Sequence, residues 1–73
     1  MTKQIDIQEL IPFMEDGYVA MDKAGVWYWH EEEPYIEENY WVNDGQLSNL
    51  ECFNIAPVSD WTKSLIKVEN TDE

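Results

Sequence analysis

The chain has 73 residues, with 16 Asp and Glu against four Lys and a formal net charge of −12 at pH 7. That length fits one domain. Neutralising phosphates takes clustered Lys and Arg, so direct binding to nucleic acid is excluded, as is attraction to an anionic lipid surface.

Hydrophobic residues make up 44% of the chain, too many for a disordered acidic segment. Four Trp, four Tyr and two Phe supply the bulk of a core, because each large ring can bury about 150–250 Å². The single cysteine, Cys52, excludes an intramolecular disulfide and a Cys-rich zinc site. No apolar run approaches the roughly 20 residues of a membrane-spanning helix, and the first residues lack the apolar stretch of a signal peptide. A cytoplasmic location is expected.

In chain order, Asp6 and Glu9 fit a capping box. Ile7, Leu10, Ile11 and Met14 recur at helical spacing and predict a short helix over roughly residues 7 to 15, shortened or kinked by Pro12 and closed by Gly17. Tyr18–Met21 and Val26–His30 are β-branched and aromatic runs flanking Asp22-Lys23-Ala24-Gly25, which predicts a hairpin with Gly25 in a bulge. The expected pairs are Met21 with Val26 and Val19 with Tyr28, with Trp27 and Trp29 on one face and Tyr28 on the other. Glu31-Glu32-Glu33-Pro34 ends the second strand. The glutamates through Glu38 disfavour a buried strand there, and the spacing admits either a loop or a short helical turn. Tyr40-Trp41-Val42 reads as a third strand before the turn Asp44-Gly45, and a fourth is expected over roughly 48 to 55. Ser59 or Asp60 caps a helical turn at 61–65. Residues 1–68 form the expected domain, with a frayed acidic tail over 69–73.

The stretch from Gly17 through Tyr28 to Pro34, with Asp60-Trp61-Thr62-Lys63-Ser64-Leu65, resembles small uncharacterised proteins carried by bacteriophages and prophages. The two stretches cover under half the chain and contain no catalytic motif. The resemblance implies a phage-type origin and brings no activity with it.

Candidate chemistry is sparse. His30 has Glu31 to Glu33 beside it, but adjacent strand residues point to opposite faces, so a structural histidine is the better reading. Cys52 lies in an apolar run without a basic neighbour and reads as a packed core thiol. Ser59 and Ser64 lack a triad partner and read as caps. Glu31 to Glu38 have no EF-hand spacing, so no metal and no cofactor are expected. Exposed aromatic residues are favoured interface anchors, and a chain this short rarely buries both faces of a hairpin, so Trp27, Trp29 and Tyr28 are candidates.

The expected fold is α+β, an N-terminal helix packed on a three- or four-stranded antiparallel sheet with a short C-terminal helical turn. The expected function is non-enzymatic protein binding. Its sharpest form is an inhibitor that mimics nucleic-acid charge and blocks a basic groove on a host nucleic-acid-handling protein. Glu31, Glu32, Glu33, Glu37 and Glu38, with Glu15, Asp16 and Asp44, would stand in for phosphates, and aromatic anchors would add specificity. The alternative is an accessory or self-associating domain whose acidity serves only solubility.

Overall fold

The structure, a computed structural model, describes residues 3–70. Its central feature is the hairpin of β1 (Gly17–Met21) and β2 (Trp27–His30). Gly25 takes φ +89°, and its amide donates to the Asp22 carbonyl at 3.0 Å while the Asp22 amide donates to the Val26 carbonyl at 3.0 Å. The buried Asp22 carboxylate accepts from the amides of Ala24 and Val26 at 3.0 and 3.1 Å. The loop therefore closes at Asp22 and Val26, and the register pairs Met21 with Trp27 and Val19 with Trp29. This corrects the expected pairing by one residue. Partners across an antiparallel ladder share a face, so the shift puts Trp27 and Trp29 with Val19 and Met21 rather than opposite them.

Two further strands complete the main sheet. β5 (Leu47–Asn49) lies beside β2 and β6 (Ile66–Val68) beside β1, giving the antiparallel order β5-β2-β1-β6. The core forms on the Trp27 face from Ile7, Val19, Met21, Trp27, Leu50, Ile55 and Val68. Helix α1 (Ile7–Leu10) packs here, and the Asp6–Glu9 capping box is formed, with the Asp6 carboxylate accepting from the Gln8 amide at 2.8 Å. The helix is a single turn that tightens into a 3-10 turn, Ile11–Phe13. Pro12 explains the early stop, since it has no N–H for the Gln8 carbonyl. Gly17 is not a helix stop: it opens β1, where a Cβ would lie 2.6 Å from the His30 carbonyl oxygen and 2.8 Å from the Trp29 ring.

The opposite face, with Ala20, Tyr28 and His30, is covered by a separate two-stranded sheet of β3 (Tyr35–Glu37) and β4 (Tyr40–Val42). Residues 35–37 are thus an exposed strand, neither loop nor helical turn. Backbone pairing with β4 forms it despite the glutamates, and Glu38 turns the corner at φ 57°. The third expected strand is present but pairs with β3 instead of the main sheet. The fourth is cut short: the Asn49 side chain accepts from the Glu51 amide at 2.6 Å and starts a 3-10 turn, Glu51–Phe53. Cys52 is consequently exposed and is not a core thiol. β6 was not anticipated, because three alternating residues give too short a pattern to read.

Asp60 caps a 3-10 turn, Trp61–Lys63. The Thr62 hydroxyl and then the Thr62 amide hold its carboxyl below the usual value. Asn70 is tied back, donating to Asp16 Oδ1 at 2.7 Å and to the carbonyls of Ile11 and Met14 at 2.5 and 2.7 Å. The remainder of the expected tail, residues 71–73, lies outside the described residues.

Ser64 stands opposite Met21 where the β1–β6 ladder would continue, two residues before β6 begins. Its buried hydroxyl replaces the missing backbone, accepting from the Met21 amide at 2.8 Å and lying 3.1 Å from the Met21 carbonyl and 2.7 Å from that of Trp61. Ser64→Ala leaves the Met21 groups without partners and should lower stability by about 1–3 kcal/mol, read as a lower urea midpoint at unchanged m-value.

Candidate functional site

Antiparallel order decides where the carboxylates go. The start of β1, the end of β2 and the start of β5 lie at one end of the sheet. Glu15 and Asp16 precede β1, Glu31, Glu32 and Glu33 follow β2, and Asp44 precedes β5, all exposed. The Glu31 amide donates to the Gln46 carbonyl and the Gln46 amide donates back to Glu31 Oε1, both at 2.9 Å. A Cβ on Gly45 would lie 2.5 Å from Glu31 Oε1 and 2.7 Å from Glu32 Cγ, so both glutamates crowd the Asp44–Gly45 turn. Six of the eight expected acidic residues therefore share one end.

Glu37 and Glu38 do not join them. They sit at the far tip of the β3–β4 hairpin, where the Asn39 carbonyl accepts from the Lys23 amide at 3.2 Å. Three of the four lysines lie away from the acidic loops. Lys23 and Lys63 are at the opposite end of the sheet, and the Lys3 carbonyl meets Asn54 beyond β5. Lys67 is the exception: it stands at the acidic end, opposite Tyr18 in the β1–β6 ladder, and pairs with Glu69 at 3.4 Å.

His30 fastens the acidic end from inside. It is 1% exposed, and its Nδ1 lies 2.8 Å from Asn43 Nδ2. Asn43 Oδ1 accepts from the Gly45 amide at 2.6 Å, which orients the side-chain amide so that its nitrogen donates to His30. The proton of the neutral ring then sits on Nε2, which is buried and has no partner. Burial pushes the His30 pKa below its usual value. His30 thus ties β2 to the 43–46 turn, a role set by Asn43, which sequence reasoning missed.

The aromatic candidates divide. Trp27 is 2% exposed in the core, with its indole N–H donating to the Ala56 carbonyl at 3.2 Å, so it offers nothing to a partner. The one-residue register shift put it there. Tyr28 is half-buried in a small hollow beneath Tyr40 and Trp41. Trp29 is half-buried, donates to the Glu15 carbonyl at 3.0 Å and lines an open groove with Leu10, Phe13, Met14, Leu50 and Phe53. Phe13 is 85% exposed and Phe53 43%. Neither was singled out in the sequence, since the 3-10 turns that turn them outward give no periodic signal.

Among the described residues no group of three or more His, Cys, Asp or Glu is placed to hold a metal ion, and no helix is long and apolar enough to cross a membrane. No family model, curated protein or solved structure matches the chain.

The histidine sets a pH dependence. With its folded pKa below the ordinary 6.5, the unfolded chain binds the proton first, so stability is full above about pH 6.5 and falls as pH drops below it. The urea midpoint should decrease between pH 7.5 and 5.5, and His30→Gln should flatten that decrease. Protonation of the surface carboxylates relieves repulsion and acts in the opposite sense, so the difference between the two proteins is the quantity to read.

Proposed function

We propose that this chain is a non-enzymatic protein-binding protein that presents the acidic end of its sheet to a basic groove on a partner. The observation that carries this reading is the gathering of Glu15, Asp16, Glu31, Glu32, Glu33 and Asp44 by antiparallel register, with Lys67 at that end and Lys23 and Lys63 at the other. Carboxylates concentrated in this way steer association with a cationic surface better than the same net charge spread evenly. In its sharpest form the partner is a host nucleic-acid-handling protein, and the carboxylates occupy the places of phosphates. The resemblance to phage proteins supports a bacterial host and its cytoplasm as the setting.

The test is an affinity pull-down from bacterial lysate at low salt and at roughly 0.5 M salt, repeated with two variants. Glu32→Gln/Glu33→Gln/Asp44→Asn removes charge from the acidic end, and Glu37→Gln/Glu38→Gln removes it from the hairpin tip. The expected result is one basic protein that is captured at low salt, weakened at high salt, lost with the first variant and kept with the second. Equal loss with both variants would reduce the acidity to general net charge, and a partner indifferent to both and to salt would sink the reading. Relief of repulsion should also leave the first variant slightly more stable than the parent in urea, as expected where like charges serve binding at the expense of folding.

A further inference from the structure

We propose that the groove between the Leu10–Met14 segment and β2–β5 is the seat for an apolar anchor residue of a cationic partner segment. The inference rests on the protein-binding reading above and assigns it a second, hydrophobic contact. The groove holds about 270 Å³ and is lined by Leu10, Phe13, Met14, Trp29, Leu50 and Phe53. That volume suits one large side chain. Phe13 stands 85% exposed at its rim, and an exposed ring beside a half-buried indole is the composition of an interface hot spot.

Charge identifies the occupant. Glu15 lines the same groove, and its backbone carbonyl is held by the Trp29 indole, so apolar floor and acidic rim form one unit. Asp16 follows at once, in an adjoining hollow with Met14, Glu15 and Asn70. A second copy of this chain would bring the same acidic rim against it, at −12 per chain, and like charges across an interface cost affinity. A segment with a Leu or Phe flanked by Lys or Arg satisfies both the floor and the rim. The acidic end of the sheet begins at Glu15, so one basic stretch can extend from the groove towards Glu31 and Asp44.

The probe is a synthetic octapeptide with a Phe-Leu centre and three lysines on each side, titrated into the isotope-labelled protein and followed by amide NMR shifts. Two control peptides carry serine for the central pair or glutamate for the lysines. The expected result is movement of the Phe13, Met14, Ser48 and Phe53 amides and the Trp29 indole, with affinity about tenfold above the serine peptide and no binding of the glutamate peptide. Phe13→Ser and Phe53→Ser should each remove most of that tenfold advantage while leaving the serine peptide's weak binding unchanged. If the two lysine peptides bind equally and move only residues 31–33 and 44, the groove inference fails and the acidic-end reading stands. If neither lysine peptide binds, both fail. Equal binding of the glutamate peptide would overturn the cationic assignment. So would a concentration-dependent dimer in sedimentation that Phe13→Ser abolishes, since the occupant would then be a second copy.

Discussion

The bulged turn at Asp22–Gly25 is the constraint on which the rest of this protein depends. Its left-handed glycine and the buried Asp22 carboxylate close the loop at Val26, and that closure sets the register of β1 and β2. Side chains alternate along a strand, so one step of register decides which face each occupies. With Trp27 and Trp29 beside Val19 and Met21, one face carries the core, in which Trp27 is enclosed among aliphatic side chains and Trp29 packs at the margin. The other keeps Ala20, Tyr28 and His30, which the β3–β4 hairpin covers. Each further strand adds to this hairpin at an edge already oriented, and the chain order of those strands leaves the acidic loops together.

Gathering carboxylates is unfavourable for folding, and the structure shows what opposes it. Two charges a few ångströms apart in water repel by roughly 1 kcal/mol, so the acidic end needs fastening from below. The paired bonds between Glu31 and Gln46, the Asn43 bridge from Gly45 to His30 and the return of Asn70 to Asp16 supply it. Most are made by backbone groups or neutral side chains, which do not cancel the surface charge. A neutral, desolvated histidine suits this place better than a lysine, because it braces the turn without supplying a counter-charge.

Local chemistry in the sequence made some of this legible. The capping box, the bulged hairpin, the Tyr40–Val42 strand and the Asp60 cap all depend on residues within a few positions of one another, and each is present in the structure. What escaped was non-local. Residues 35–37 form a strand only because 40–42 pair with them, and 66–68 only because β1 offers an edge. Cys52 looked like core because its neighbours are apolar, yet the Asn49 side chain turns the chain and exposes it. The candidate site divided in the same way. Composition identified the glutamates, but the separation of Glu37 and Glu38 from Glu31–Glu33 required knowledge that β3 carries the chain away from the acidic end before it turns at Glu38.

Charge alone selects poorly, since any basic surface attracts any acidic one, and screening weakens it at physiological salt. Specificity needs a short-range contact that only a correctly oriented partner can make. The core face cannot provide one through Trp27, which is enclosed, but the same face runs out at its margin into Trp29, Phe13 and Phe53, where the small helix is too short to cover them. Pro12 ends that helix, and the turn that replaces it points Phe13 outward. The feature that limits the hydrophobic core of so small a domain thereby leaves an apolar edge beside Glu15, and the proposed partner segment would meet attraction at long range and recognition at short range in one place.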